Sequence, residues 1–272
     1  MKIVIFDSGV GGLTIFQAVR RVVPSAQLVF VSDTAAYPYG NKTETFVRER
    51  VLQVAAQLMQ EIQPDLFVVA CNTASTVVLP SLRQVLPIPV VGVVPAIKPA
   101  AQQSKTQHIG VLATPATVKR SYTQDLIQQF APHCQVDLLG STELVNLSEQ
   151  KARGVAVNQT ELQAIMQPWL SSDKCTMDTI VLACTHFPWL RSELEMLFSQ
   201  HQRTIHWVDS AQGIAKRVGQ LSGVVAEHNG AANPRAIFIQ ESTEKEFSSP
   251  PFSELLNSLG IMQLDCLVVP TS

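Results

Sequence analysis

The sequence is short of charge. Asp, Glu, Lys and Arg make up 15% of its 272 residues, against about 25% in an average globular protein. The two signs nearly cancel, twenty Lys+Arg against twenty-two Asp+Glu, and no basic run occurs. That excludes a strong electrostatic footprint for nucleic acid and a polybasic membrane anchor. Long hydrophobic runs are also lacking. Nothing approaches the ~18 apolar residues of a membrane span, and the short apolar run before Asp7 cannot form a signal-peptide core. The cysteines (Cys71, Cys134, Cys175, Cys184 and Cys266) are odd in number and irregularly spaced, which is no disulfide framework. A soluble protein of a reducing cytoplasm is the expectation, with no membrane or nucleic-acid partner.

What is present is alternation. Short apolar runs at 3–6, 28–32, 66–70, 90–93, 109–113, 135–139, 179–183, 205–208 and 236–239 are rich in Val, Ile and Leu. They lack the strict alternation of half-solvated strands and are expected to be buried strands. Helical periodicity fills the spaces, at 43–62, 115–130, 160–170, 188–200 and 210–221. The fold class is therefore α/β, with mainly parallel sheets flanked by helices. Pro95–Pro99 interrupts the pattern, and a strand-then-helix pattern restarts at His206-Trp207-Val208-Asp209-Ser210. Two domains are expected: a discontinuous one of residues 1–95 plus 207–272, and a second of residues 96–206. The segment 223–233 and the tail after Ser242 carry no readable motif.

In open α/β sheets ligands bind beyond the carboxyl ends of strands, so the residues after each apolar run carry the chemistry. Strand one ends in Asp7-Ser8-Gly9-Val10-Gly11-Gly12, a turn whose exposed N–H groups suit an anion. It has neither the Gly-Lys-Ser/Thr ending of a nucleotide loop nor the dinucleotide spacing. An internal echo is more specific. Val68-Val69-Ala70-Cys71-Asn72-Thr73 resembles Val181-Leu182-Ala183-Cys184-Thr185-His186, and the strand ends at Asp7 and Thr114 precede the two cysteines by 64 and 70 positions. Two similar halves would each place one thiol at a strand end, facing a shared cleft. A lone cysteine is usually an inert small hydrophobe, which suits Cys134, Cys175 and Cys266. At a helix N-terminus, however, the macrodipole lowers a thiol from about 8.5. Paired thiols suit stereochemical inversion: one thiolate removes a proton from carbon and the other thiol returns one to the opposite face. Asp7 and His186 would tune the two separately. With no Arg or Lys beside either cysteine, backbone N–H groups and the hydroxyls of Ser8, Thr73 and Thr185, with Asn72, would hold substrate carboxylates.

Asp-Ser-Gly-x-Gly-Gly at 7–12, Tyr37-Pro38-Tyr39-Gly40, Ala-Cys-Asn-Thr at 70–73, Thr114-Pro115-Ala116-Thr117 and Ala-Cys-Thr-His-Phe-Pro at 183–188 resemble the glutamate racemases of the cofactor-independent aspartate/glutamate racemase superfamily. The likeness runs in order from Ile3 to about Leu221. It implies two similar α/β domains with the active site between them. The implied reaction interconverts L- and D-glutamate without cofactor or metal, supplying D-glutamate for peptidoglycan and cell shape. It implies Cys71 and Cys184 as acid/base groups, with Asp7 assisting the first and His186 the second. Asp7-Ser8, Tyr39-Gly40, Asn72-Thr73 and Thr185-His186 would line the substrate, with Thr114 and Thr117 nearby, and a homodimer is admitted. Glu149 falls on the acid that supports the His-side thiol. The run before it departs from the family's Cys-Pro-x-Leu-Val-Pro pattern, with Ser141 and Asn146 at the Cys and Pro positions. Some relatives have an N-terminal extension tied to activation by a cell-wall precursor. This chain starts at strand one, so that regulation is not expected.

Four rivals remain at this point. A zinc hydrolase would use Cys71, Cys184 and His186, although the Cys-x-His spacing is awkward for one ion. A cysteine amidohydrolase would pair Cys184 with His186 and leave Cys71 idle. An aspartate racemase would keep both thiols with a shorter pocket. A two-lobed solute-binding protein would explain the cleft but not the thiols. His108, His133, His201, His206 and His228 are expected to be structural or on the surface, and Trp169, Trp189 and Trp207 to be packing residues.

Overall fold

The computed structural model describes residues 1–170, 176–223, 233–240 and 250–269; Cys175 and His228 lie outside them. The first unit runs β1 (Lys2–Asp7), α1 (Leu13–Val22), β2 (Gln27–Ser32), α2 (Glu44–Glu61), β3 (Leu66–Val69), α3 (Asn72–Val85) and β4 (Val90–Gly92). The second runs α4 (Ile97–Gln103), β5 (His108–Ala113), α5 (Pro115–Lys119), α6 (Ser121–Phe130), β6 (Gln135–Gly140), α7 (Glu143–Ala152), α8 (Gln159–Leu170), β7 (Thr179–Leu182), α9 (Arg191–Gln200) and β8 (His206–Val208). The chain then adds α10 (Ala211–Ser222), β9 (Arg235–Gln240), α11 (Pro250–Ser258) and β10 (Gln263–Val268).

The sheets are six-stranded, β10-β9-β2-β1-β3-β4, and four-stranded, β6-β5-β7-β8, and every pairing is parallel. The four central and outer strands of the first sheet, β2-β1-β3-β4, repeat the order of the second. This is the duplication that the cysteine echo implied. Each sheet is apolar on both faces because both are covered. In β1, Ile3 and Ile5 enter one core while Val4 and Phe6 enter the other, as the two-residue period requires. The second sheet likewise divides two cores, one around Leu112, Ile180 and Phe198, the other around Ile109, Val111 and Val181.

Two expectations need adjustment. The boundary at 206/207 cuts β8, whose Trp207 pairs with Ile180 in the second sheet; the return to the first unit follows Val208, where α10 packs on α1. The pattern at 115–130 is not one helix. It breaks at Arg120, whose backbone is extended (φ −77°, ψ 141°). The unreadable tail supplies α11 and the edge strand β10. Among the described residues no helix is long and apolar enough to cross a membrane.

Candidate active site

The register places the thiols. Phe6 pairs with Val69 and Leu112 with Leu182, and each cysteine stands two residues past its strand's last pair. The same extension sets Ser8 beside Cys71 and Thr114 beside Cys184. Thr114 is therefore the positional counterpart of Ser8, not of Asp7 as the spacings suggested. All the expected site residues except Asp7, Glu149 and Thr117 line one pocket between the units, joined by Pro38, Thr142 and Val145. Cys71 and Cys184 are both free thiols, 5% and 7% exposed.

Cys71 is the N-cap residue of α3, although its side chain makes no capping hydrogen bond. The Ser8 hydroxyl lies 3.7 Å from Sγ and donates to Asp7 Oδ1 at 3.4 Å. The helix end does not depress this thiol. Burial, followed by the charge of Asp7, pushes Cys71 up to about 12, because desolvation penalises the anion more than one helix end favours it. Burial likewise raises Asp7, against the attraction of His186 and hydrogen bonds from Gly9, Thr185 and Ser8.

Cys184 has different company. A 3-10 turn, Phe187–Leu190, follows it rather than an α-helix, so the helix-terminus argument does not apply there. Its sulfur lies 3.8 Å from His186 Nδ1, while His186 Nε2 meets Glu149 Oε1 at 2.8 Å. Burial works against charge on His186, yet the contacts with Cys184 and Glu149 outweigh it and hold the imidazole well above its usual value. Burial also opposes the Glu149 charge, and here His186, the Val10 N–H and Arg153 win and hold the carboxyl low. The Gly11 N–H lies 3.3 Å from the same Nε2. That nitrogen either donates to Glu149 or accepts from Gly11, and the shorter contact to a carboxylate favours donation.

The glycine turn does bind an anion, but an internal one. Gly9 N–H donates to Asp7 at 3.1 Å and Val10 N–H to Glu149 at 2.8 Å. Substrate therefore does not occupy those donors. Thr185 Oγ1 donates to Asp7 Oδ2 at 2.9 Å, and the hydroxyls of Thr73, Thr114 and Thr117 meet across the cleft at 3.0–3.3 Å. Asn72 Oδ1 is buried without a hydrogen-bond partner. Tyr39 lines the pocket, but its hydroxyl is spent on Asp33 at 2.6 Å, so Tyr39 and Gly40 contribute wall rather than a free donor. Among the described residues no three His, Cys, Asp or Glu side chains converge as a metal site, so Cys71, Cys184 and His186 do not form the zinc arrangement weighed above.

Tyr37, part of the Tyr37-Pro38-Tyr39-Gly40 motif, lays its ring 5.9 Å from that of His186. Sequence reasoning missed one neighbour: Arg120, 7% exposed, reaches the first turn of α3. It bears no signal in the chain, because an arginine in an amphipathic stretch reads as solvated.

Comparison with known proteins agrees with this geometry. The family model described as Asp/Glu/Hydantoin racemase matches residues 13–218. The glutamate racemase of Aliivibrio fischeri is 45% identical, over 98% of this chain and 98% of that protein. That of Aliivibrio salmonicida is 48% identical, over 95% and 96%. The crystal structure of Escherichia coli glutamate racemase, in complex with L-glutamate and the activator UDP-MurNAc-Ala, superposes with a TM-score of 0.89 at 40% identity, covering 99% of this chain and 98% of that one. The cleft thiols thus stand on a shared framework, and the chain belongs to the aspartate/glutamate/hydantoin racemase family.

Proposed function

We propose that the chain is a glutamate racemase that interconverts L- and D-glutamate by proton transfer at the α-carbon, using Cys71 and Cys184. The observation that carries this reading is the pair of thiols. Each lies two residues past the equivalent strand pair of a repeated topology, and both line one pocket. One sulfur, as thiolate, takes the α-proton; the other, as thiol, gives its proton to the opposite face. The enzyme then holds the reverse protonation pattern, and a proton must pass between the sides before the next turnover in the same direction. Ser8 with Asp7 and His186 with Glu149 are the relays placed to do this, one beside each sulfur.

Substrate positioning falls to uncharged groups. The open Asn72 acceptor suits an ammonium, and the hydroxyls of Thr73, Thr114, Thr117 and Thr185 with the α3 N–H groups suit carboxylates. Tyr39 and Gly40 close the pocket beneath them. Domains of 1–95 plus the segment after Val208, and 96–208, would open and close about this site. A cytoplasmic setting, supply of D-glutamate to peptidoglycan and a homodimer complete the reading; sedimentation tests the last.

The deciding assay is α-hydrogen exchange in deuterium oxide with L- and D-glutamate and both aspartates, without cofactor. Exchange and loss of optical activity with glutamate are expected, and faster turnover of aspartate would reassign the substrate. Cys71→Ser and Cys184→Ser should each slow racemisation by roughly 10²-fold or more, an alcohol being the weaker acid. Full turnover by Cys71→Ala would sink the two-thiol mechanism in favour of a Cys184–His186 amidohydrolase.

A further inference from the structure

The cleft has one cation that neither the motifs nor the proton relays use. The extended backbone at Arg120 turns its side chain off the second unit and onto the first. One guanidinium nitrogen donates to the Thr73 carbonyl and the Thr76 hydroxyl, both on the first turn of α3, the helix that Cys71 caps. Nε lies 3.3 Å from Glu44 Oε1 at the start of α2 but makes no hydrogen bond. In the same turn, the Thr73 hydroxyl meets Thr114 and Thr117. The first turn of α3 is therefore held by Arg120 and by two threonines, all three from the second unit.

A buried guanidinium needs an anion, because desolvation costs several kcal/mol unless charge compensates. Glu44 compensates poorly, since its side chain is 62% exposed and its field is screened by water. Burial lowers Arg120, while Glu44 and Cys71 act in the opposite direction; an arginine in this setting remains a cation. Among the described residues, the charged and titratable groups that interact with Cys71 or share its pocket are Asp7 from the end of β1, Tyr39 from the loop after β2, and Cys184, His186 and Arg120 from the second unit. Arg120 alone among them is a permanent cation.

We propose that Arg120 is a positioning residue for Cys71: it clamps the first turn of α3 to the second unit and supplies the positive charge that an anionic Cys71 sulfur requires. The proposal rests on the two-thiol reading. Removing the cation makes the Cys71 thiolate harder to form, so the acid limb of the pH–rate profile moves to higher pH. Removing Glu44 leaves the cation uncompensated and moves that limb to lower pH. Because the two enantiomers have equal free energy, kcat/KM is the same from either side, so each shift must appear with both substrates.

The experiment compares wild type with Arg120→Gln, Arg120→Lys and Glu44→Gln, measuring kcat/KM for L- and D-glutamate across pH. Arg120→Gln is expected to lower kcat/KM about tenfold or more and to raise the limb by about half a unit or more. Arg120→Lys, which keeps charge but not the fork, restores the limb while recovering only part of the rate. Glu44→Gln lowers the limb by a smaller amount. A limb at the wild-type pH in Arg120→Gln, or equal rate losses in Gln and Lys with no shift, overturns the proposal. Should Arg120→Gln not fold, an unmoved limb in Glu44→Gln overturns it. Failure of the two-thiol reading looks different: wild type itself exchanges no α-hydrogen.

Discussion

Replacing Gly11 with alanine puts a methyl carbon where the two units meet. Built on the backbone, that carbon lies 2.6 Å from His186 Nδ1, 2.6 Å from Thr185 Oγ1 and 2.7 Å from the His186 backbone nitrogen. Non-bonded contact is comfortable from about 3.5 Å, so the deficit is about 0.8–0.9 Å. The imidazole cannot swing clear without leaving Glu149, 2.8 Å away, and a backbone nitrogen has no rotamer to change. The turn and the second unit must separate instead. Overpacking of this kind costs about 1–3 kcal/mol. An error near 1 Å in a reacting constellation costs about 10²-fold in rate. Gly213 in α10 is the control, because nothing lies within 4 Å of its added carbon. There the same substitution should stabilise by about 0.5–1 kcal/mol with activity unchanged. Thermal unfolding and racemisation kinetics on both variants decide the matter. Wild-type kcat in Gly11→Ala would refute the idea that this turn sets the position of His186.

Two further outcomes follow from the buried charges. Glu149→Gln keeps an acceptor for Val10 and His186 but removes the counter-charge, so the imidazole pKa falls and racemisation slows by about 10²-fold. The raised His186 stabilises fully below the unfolded imidazole value of about 6.5 and the lowered Glu149 fully above about 4.3. Urea unfolding should therefore show the largest gap between wild type and variant between those values, narrowing as pH climbs through the folded His186 value; a gap independent of pH would contradict the pairing. Asp7, being raised by burial, has the opposite balance at neutral pH: its contribution is complete below about 3.9 and is lost as pH rises. Asp7→Asn should melt higher than wild type at pH 8, by ~2–4 °C per kcal/mol, and lose activity, with the difference in melting shrinking toward pH 4. An unchanged or lower melting point at pH 8 would contradict that sign.

The strands were legible because a parallel strand covered on both faces is a continuous apolar run, and each of the nine runs in the sequence lies on a strand. The tenth, Gln263–Val268, is an edge strand with polar residues alternating along it, too weak a pattern to separate from a tail. The break at Arg120 left no trace because no glycine or proline marks it. The pocket walls were legible as motifs. Their electrostatics were not: the helix-end rule for Cys71 is sound for an exposed thiol and fails at 5% exposure. The donors of the glycine turn were also legible, but not that they serve the protein's own carboxylates.

Those carboxylates are held reciprocally. Asp7, the acid on the Cys71 side, accepts from Thr185 next to Cys184. Glu149, the acid on the Cys184 side, accepts from Val10 in the turn after Asp7. Each acid is thus fastened by the opposite unit, across 178 and 139 positions of sequence, which no local pattern records. Separating the two units would break both contacts at once. The repeated strand order places the two sulfurs equivalently, yet their partners differ: serine and aspartate for one, histidine and glutamate for the other. A racemase tolerates that asymmetry. Its two substrates are equal in free energy, so the overall balance is fixed by chemistry outside the protein, and under the two-thiol proposal each side needs only to exchange a proton with carbon.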